Sequence, residues 1–359
     1  MNFDDFDEWF KQATGHPPFP YQRKLATSGE WPELLEIPTG AGKTAAAVLS
    51  WLWRRRFHPD ASIRQDTPRR LVYCLPMRVL VEQTRACAVR WLHKLGLLAG
   101  EAEFDGDRLK AYRVDWSDSA KIAVVTLMGG EVSDDWRGYP EREVIIVGTQ
   151  DMLLSRALNR GYAMAPQQWP VDFGLLNMDT LWVMDEVQLM GPGRTTSVQL
   201  QLFWDGKPFA HLPRRTLWMS ATLGTNTGTG PPQWMRTPEM PTRRSRDPHT
   251  LRHSPEDLDR PDFQACWSAR KQLEVHLRDF PNSTPWTWES PELIREILNQ
   301  AADGRLVIVF VNQVRRAYGL YQKIRQSAGP QGASQVLLVH GRMRPRDRRA
   351  FEARLQDSV

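Results

Sequence analysis

The chain has 359 residues, enough for roughly two or three domains. Apolar residues make up 41% and charged residues 25%, which is typical of a folded globular protein and excludes a disordered or fibrous chain. The sequence contains no run of about 18 apolar residues, so no membrane span is predicted. The acidic N-terminus lacks the basic start of a secretory signal. Three widely spaced cysteines, Cys74, Cys87 and Cys266, indicate neither a disulfide framework nor a zinc site, and we expect a cytoplasmic location.

The charge of the chain is unevenly distributed. The net charge is +5 at pH 7, but residues 305–359 hold eleven Lys or Arg and three Asp or Glu, a local balance of +8. The remaining residues carry 36 basic and 39 acidic side chains. A basic C-terminal region favours an anionic partner, and a solvated basic helix is the alternative that charge alone leaves open.

The first 223 residues alternate short apolar runs with amphipathic stretches. The runs are rich in β-branched and aromatic residues, as in strands that are buried on both faces of a parallel sheet. Strands are predicted at 71–75, 122–127, 144–147, 181–184 and 216–219, and helices at 43–56, 78–95 and 151–159. This order predicts an α/β domain whose ligand lies at the carboxyl edge of the sheet.

The pattern changes after residue 223. Residues 224–261 are rich in turn-forming and polar residues without periodicity, which predicts a flexible connector. A second series of strands (306–311 and 336–339) and helices (314–324 and 346–355) then follows within residues 262–359. Two such β/α units are too few to close a stable sheet. The sequence thus predicts a first domain of 1–223, a connector and an incomplete second domain.

A phosphate-binding loop is predicted at residues 37–44, where Ile-Pro-Thr-Gly-Ala-Gly-Lys-Thr precedes a helix-forming run. Gly40 and Gly42 allow the backbone amides to converge on one anion, and the following helix directs its positive end toward the phosphates. Lys43 is expected to reach the β and γ phosphates, and the Thr44 hydroxyl to ligate Mg²⁺. The first position of the strict pattern is Gly, whereas here it is Ile. The alternative is an ordinary strand–turn–helix with a chance Gly-Lys-Thr.

Two adjacent carboxylates follow the apolar run 181–184. Asp185 is expected to hold Mg²⁺ through water, and Glu186 to orient and deprotonate the attacking water. Two solvated acids at the end of a strand are the alternative, which becomes weaker once the phosphate loop is accepted. After the run 216–219, the hydroxyls of Ser220 and Thr222 are expected to sense the γ-phosphate and to pass its loss to a neighbouring domain.

The succession of phosphate loop, Asp-Glu-Val-Gln and Ser-Ala-Thr resembles the superfamily 2 helicases and translocases, which pair two RecA-like domains. The resemblance implies ATP and Mg²⁺ as cofactors, with Lys43, Asp185 and Glu186 in catalysis. Phe-Pro-Tyr-Gln at residues 19–22 resembles the Q motif, in which Gln22 would read the adenine edge. The residues assigned to the nucleotide are Tyr21, Gln22, Thr39, Gly40, Ala41, Gly42, Lys43 and Thr44; those assigned to coupling are Gln188, Ser220 and Thr222.

Further segments resemble the family's nucleic-acid motifs in the expected order. They are Pro-Met-Arg-Val-Leu-Val-Glu-Gln at 76–83, Leu-Met-Gly-Gly at 127–130, Gly-Thr-Gln-Asp at 148–151, Val-Phe-Val-Asn at 309–312 and Val-His-Gly-Arg-Met at 339–343. The resemblance assigns nucleic-acid contacts to Pro76, Arg78, Gln83, Gly130, Thr149, Gln150, Asn312, His340 and Arg342. Each has a plain alternative, since Arg78 and Gln83 could sit on a solvated helix and Thr149 could serve only as a helix cap.

The resemblance narrows to the CRISPR-associated helicase–nuclease of type I systems. Its basis is the Asp-Glu-Val-x element, the Gly-Thr-x-Asp helix start and His340-Gly-Arg-Met followed by Asp347-Arg348. Gln188 stands where His is usual. This resemblance implies single-stranded DNA as the track, a CRISPR RNA-guided surveillance complex as partner and no membrane. An RNA helicase of the same superfamily, or a nucleotide-dependent scaffold without turnover, remains an alternative.

Two elements of that family have no counterpart in the sequence. The arginine-finger element Gln-x-x-Gly-Arg-x-x-Arg does not follow Arg342, and none of the eight His is followed by the Asp that the nuclease needs. We therefore expect the chain to correspond to the front part of a longer protein. Because an arginine finger contributes on the order of 10³–10⁵ in rate, we expect ATP–Mg²⁺ to bind but to be hydrolysed poorly.

Overall fold

The structure is a computed structural model that describes most of the chain. The described residues are 5–129, 131–133, 135–162, 164–205, 212–222, 233–235, 248–269, 291–302, 305–333, 335–340 and 343. The chain divides into two compact units, Met1–Lys271 and Gln272–Val359. Within the described residues, no helix is both long and apolar enough to cross a bilayer.

The first unit is built on one large sheet. Its strands are β1 (Leu34–Glu36), β2 (Arg70–Leu75), β5 (Ala123–Met128), β6 (Glu131–Val132), β7 (Val144–Thr149), β8 (Thr180–Asp185), β9 (Arg214–Ser220) and β10 (Thr250–Arg252), while β3 (Glu101–Asp105) and β4 (Arg108–Arg113) form a separate antiparallel hairpin. The spatial order is β10-β1-β9-β8-β2-β7-β5-β6. All neighbours pair in parallel except β5 and β6, so seven parallel strands bring their carboxyl ends to one edge.

Helices cover both faces of this sheet. They are α1 (Phe6–Thr14), α2 (Pro20–Thr27), α3 (Lys43–Arg56), α4 (Ala61–Asp66), α5 (Arg78–Lys94), α6 (Gln150–Ala157), α7 (Trp169–Asn177), α8 (Pro192–Asp205), α9 (Pro255–Leu258) and α10 (Pro261–Ser268). The strands alternate between the two layers, as the period of two requires. In β2, Leu71 and Tyr73 join the core beneath α1, α3 and α5, whereas Val72 and Cys74 join the core beneath α6 and α8.

The predicted α/β fold is confirmed, and its strands and helices fall within a few residues of the predicted ranges. Every residue of β2, β5, β7 and β8 is buried. Because both faces of these strands are covered, their sequences are continuous apolar runs rather than alternating ones. These continuous apolar runs are the reason why the sequence predicts the four strands.

The structure differs from the predicted connector of 224–261. Thr250–Arg252 is a strand of the main sheet, paired with β1, and Leu251 is buried in the first core. Met235 is fully buried in the second core, where Trp234 packs beside Trp218. A strand of three residues is too short to show alternation in the sequence, so only its pairing reveals it. The compact first unit accordingly extends to Lys271 rather than to residue 223.

The second unit also differs from its predicted pattern. Its helices are α11 (Pro291–Ala302), α12 (Val314–Ser327) and α13 (Gly329–Ala333), around a small core of Ile294, Leu320 and Ile324. Helix α12 agrees with the predicted helix at 314–324. The predicted strands at 306–311 and 336–339 are not strands, because no neighbouring strand pairs with them in the described part of the unit. The predicted helix at 346–355 lies outside the described residues.

One buried carboxylate in α7 pairs with two arginines, one of which lies in α6. Asp172 in α7 is fully buried and accepts hydrogen bonds from two guanidinium groups, Arg137 and Arg156. The Arg156 Nε lies 2.9 Å from Asp172 Oδ2. Removing one member of a buried ion group leaves uncompensated charge in a medium of low polarity.

We expect Asp172→Ala to lower the free energy of unfolding by about 3–5 kcal/mol, because both guanidinium groups lose their buried partner. Urea denaturation followed by circular dichroism measures this loss. Asp7→Ala is the matched control, since its pair with Arg23 is partly exposed and should change stability by less than about 1 kcal/mol. Equal losses in the two variants would contradict the assignment.

Candidate functional site

A loop between β1 and α3 has the geometry of an anion-binding site. Gly40 (φ +87°) and Gly42 (φ +75°) adopt left-handed backbone conformations that favour glycine. Gly42 is the N-cap of α3, no side chain caps that helix, and its first turn has no acidic residue. The amides of the first turn therefore remain available to an anion, and the helix dipole favours negative charge there.

The side chain of Lys43 lies across this loop. Lys43 is only 6% exposed, and its Nζ donates to the carbonyl oxygens of Ile37 at 3.2 Å and Pro38 at 3.3 Å. A buried ammonium group that donates to carbonyl oxygens readily gains from an anionic ligand. Thr39 and Gly40 are exposed on the loop, whereas Ala41 is buried beneath it. The predicted phosphate-binding residues of this segment thus lie together in the loop and the first turn of α3.

A buried carboxylate stands at the end of β8. Asp185 is 5% exposed; its Oδ1 accepts a hydrogen bond from the Glu186 amide at 2.9 Å and its Oδ2 from the Tyr73 hydroxyl at 2.8 Å. Burial raises the pKa of Asp185 to about 6, and the charge of Glu186 adds to the rise, while the Tyr73 bond and Lys43 oppose it. Thr44 lies in the first turn of α3, directly after Lys43.

The donor set at this point fits a magnesium ion. Thr44 and Asp185 offer a hydroxyl and a carboxylate, which are the oxygen ligands that Mg²⁺ prefers. No group of three or more His, Cys, Asp or Glu in the described residues is arranged to hold a metal. A site with few protein ligands suits Mg²⁺, which keeps several waters and takes oxygens from substrate phosphates.

The predicted coupling residues form a hydrogen-bonded chain with Glu186. The Gln188 amide donates to the Glu186 carboxylate, and the Ser220 hydroxyl donates to the Gln188 Oε1 at 2.6 Å. The Thr222 amide in turn donates to the Ser220 Oγ at 2.9 Å. Glutamine can link the two groups because its side chain both donates and accepts. Glu186 itself has φ +54°, an uncommon conformation for a non-glycine residue.

The segment predicted as a Q motif braces the phosphate loop. The Tyr21 hydroxyl donates to the Ala41 carbonyl at 2.5 Å, and the Gln22 Nε2 donates to the Gly42 carbonyl at 3.0 Å. The Gln22 Oε1 accepts from the Phe19 amide at 2.8 Å, and Gln22 is only 2% exposed. Reading of the adenine edge by Gln22 stays a prediction, and it requires these bonds to be exchanged.

Residues beyond β10 complete the support of the Q motif, and the sequence prediction missed them. The buried Asp257 carboxylate accepts from the Tyr21 amide at 3.0 Å, and its other oxygen accepts from the Ser254 amide at 2.7 Å. The Phe263 ring packs edge-on against Phe19, with centroids 5.2 Å apart. The Ser-Pro-Glu-Asp run at 254–257 is a capping-box signal that could have predicted α9.

The nucleic-acid residues of the first unit follow neighbouring strands. Leu75 and Thr149 are paired across β2 and β7, so the segments that contain Arg78 and Gln150 begin at the same edge of the sheet. Thr149 is the N-cap residue of α6 but its side chain makes no capping bond, so the plain capping alternative is not supported. These segments therefore share one surface.

Two glycines lie close to side chains of these segments. A Cβ on Gly129 would lie 2.5 Å from the Arg78 Nη2, and one on Gly193 would lie 2.5 Å from the Gln150 Oε1. Pro76 lies just before α5. Gln83 lies within the first turns of α5 and is exposed.

Four further residues are predicted to contact nucleic acid. Gly130 and Arg342 lie outside the described residues. Asn312 and His340 belong to the second unit, where Asn312 is exposed and His340 is half-buried. Their roles stay predictions.

Known proteins resemble this chain in sequence. The profile of the DEAD/DEAH box helicase family matches residues 22–229, more than half of the chain. A U5 small nuclear ribonucleoprotein 200 kDa helicase of Caenorhabditis elegans is 35% identical over 104 residues, which are 27% of this chain and 5% of that protein.

Solved helicase structures share the fold at low sequence identity. Mycobacterium smegmatis Lhr, bound to single-stranded DNA and AMP-PNP, matches 99% of this chain with a TM-score of 0.55 and 17% identity. MrfA bound to DNA and AMPPNP matches 100% of this chain with a TM-score of 0.56 and 16% identity. Saccharomyces cerevisiae Dbp5 bound to RNA matches 99% of this chain with a TM-score of 0.52 and 16% identity. The chain spans 40% of Lhr, 43% of MrfA and 73% of Dbp5.

We expect Asp257→Ala to destabilise the first unit by about 1.5–3 kcal/mol, because the Tyr21 and Ser254 amides lose a charged acceptor. Tyr21 supports the phosphate loop, so ATP binding measured by calorimetry should weaken in parallel. Asp259→Ala, an exposed acid next to the same helix, should alter neither quantity. Unchanged ATP affinity in the folded Asp257→Ala chain would exclude this support.

Proposed function

The chain belongs to the DEAD/DEAH box helicase family, and on that premise we propose that it is the ATP-driven motor of a helicase that moves along single-stranded DNA. The observation that carries the proposal is the hydrogen-bonded connection among the predicted catalytic and coupling residues. The Asp185 carboxylate accepts a hydrogen bond from the backbone amide of Glu186. From Glu186 the chain of bonds continues through Gln188 to Ser220.

Each residue has a distinct task in this proposal. The loop amides and Lys43 bind the triphosphate, and Thr44 and Asp185 would hold Mg²⁺, which supplies positive charge to the phosphate oxygens when it is bound. Glu186 orients the attacking water and accepts its proton. The contact between Gln188 and Ser220 then links the water-activating carboxylate to the strand end at β9.

The DNA track is supported by two observations of different kinds. Arg78 offers an exposed guanidinium group, and Thr149 and Gln150 begin the neighbouring helix at the same edge of the sheet, an arrangement that suits contacts to phosphates rather than to bases. Lhr and MrfA, two of the structures with the same fold, are bound to DNA. Dbp5 is bound to RNA, so an RNA track is the second candidate.

The finer part of the proposal concerns the biological setting. The Asp-Glu-Val-Gln element, the Gly-Thr-Gln-Asp helix start and the His340 segment resemble the CRISPR-associated helicase–nuclease of type I systems. On this basis we propose a cytoplasmic role in which an RNA-guided surveillance complex delivers the DNA strand. Recruitment of the chain by such a purified complex, compared with the complex lacking its guide RNA, tests this part.

Glu186→Gln should reduce ATP turnover at least about 100-fold while leaving ATP affinity unchanged, because the amide cannot accept the proton of the attacking water. A phosphate-release assay and calorimetry measure the two quantities. Glu103→Gln, on the exposed face of the β3–β4 hairpin, is the control and should match the wild type. Loss of ATP binding in Glu186→Gln would show that its carboxylate has a different task.

The track is tested with DNA and RNA single strands of one sequence in the same turnover assay. Stimulation by DNA and not by RNA is expected, and Arg78→Ala should weaken that stimulation. Stronger stimulation by RNA would favour the RNA helicase. Because this chain is expected to hydrolyse ATP slowly, the nucleotide-dependent scaffold is favoured only if ATP binds normally, neither strand stimulates turnover and Glu186→Gln leaves the basal rate unchanged.

A further inference from the structure

We propose that Tyr73 is a positioning residue that orients the Asp185 carboxylate of the magnesium site. The sequence analysis assigned it only to a buried strand, and the family resemblance gave it no role. The inference rests on the proposed function, since it presumes that Thr44 and Asp185 hold the metal of a bound nucleotide.

Tyr73 lies in the strand next to the one that carries Asp185. Its ring is fully buried in the core that the sheet shares with α1, α3 and α5, and its strand β2 pairs with β8. The hydroxyl donates to the Asp185 Oδ2 at 2.8 Å. One buried side chain of β2 thus holds a carboxylate oxygen at the end of β8.

The number of protons fixes the direction of this bond. A phenol has a single proton, and an ionised carboxylate only accepts, so the Tyr73 proton is used by Asp185.

The Asp185 carboxylate is fixed by the same arrangement. The Glu186 amide holds Oδ1 and Tyr73 holds Oδ2, so the plane of the carboxylate cannot rotate without breaking a buried bond. A carboxylate oxygen has more than one lone pair, so each oxygen can still accept from a water of a bound metal ion. Outer partners of this kind orient metal ligands, and their loss typically costs about 10–100-fold in metal affinity.

A purely structural role accounts poorly for a tyrosine at this position. The other residues of β2 after Arg70 are Leu, Val, Cys and Leu, and they pack without polar side-chain contacts. Burying a hydroxyl is unfavourable unless it has partners, and phenylalanine would fill the same space. The partner that the structure gives to the Tyr73 hydroxyl is Asp185, a predicted magnesium ligand.

The test compares Tyr73→Phe with Tyr112→Phe. Tyr112 is also a tyrosine with a hydrogen-bonded hydroxyl, which contacts the Ala99 carbonyl and the Val124 amide, away from the nucleotide loop. Mn²⁺ affinity in the presence of AMP-PNP is measured by electron paramagnetic resonance, and AMP-PNP affinity in EDTA by calorimetry. We expect Tyr73→Phe to weaken Mn²⁺ binding about tenfold or more and to leave the EDTA affinity unchanged. Tyr112→Phe should change both less than about twofold.

Two further measurements separate the possible failures. If Lys43→Ala binds AMP-PNP as tightly as the wild type, the proposed nucleotide site is wrong. If Lys43→Ala loses binding but Tyr73→Phe binds Mn²⁺ like the wild type, only the role of Tyr73 is wrong. Should Tyr73→Phe not fold, 3-fluorotyrosine at position 73 gives the answer. Its fluorine resonance should shift when Mg²⁺ is added to the AMP-PNP complex, and an unmoved resonance would overturn the proposal.

Discussion

The site depends on keeping one buried carboxylate, Asp185, charged and oriented. Burial disfavours its ionised form and raises its pKa to about 6, yet the Glu186 amide, the Tyr73 hydroxyl and the nearby Lys43 all favour the charge. A cation at this point would add to that stabilisation. The same contacts hold this carboxylate in one orientation at the strand end where a metal ion is predicted to bind.

The sheet explains how so many groups reach one edge. Seven parallel strands end together, and the phosphate loop, Asp185, Ser220 and Thr149 each follow one of them. Parallel strands need crossover helices, and the helix that follows the loop directs its free amides back to this edge. Residues that follow the last strand of the sheet also support the phosphate loop, since the Asp257 carboxylate accepts a hydrogen bond from the Tyr21 amide. The residues predicted to bind the nucleotide and those predicted to contact nucleic acid thus follow strands of one sheet.

Reasoning from the sequence succeeded where the signal was local and strong. The apolar runs of β2, β5, β7 and β8 are continuous because both their faces are buried, and the helix after Lys43 begins where predicted. It failed where pairing decides the structure. Thr250–Arg252 became a strand by pairing with β1, whereas the apolar run at 306–311 remained unpaired and formed no strand.

The sequence by itself determined the α/β class, the phosphate loop with its two left-handed glycines, and the adjacent acids at the end of β8, because these follow from short-range hydrophobic pattern and backbone sterics. Only the tertiary structure decided which distant side chains share a hydrogen bond. Tyr73 and Asp185 are 112 positions apart, and Tyr21 and Asp257 are 236 apart. No local pattern encodes such contacts, since they arise when strand order brings separate segments together and buried polar groups take the partners they find there.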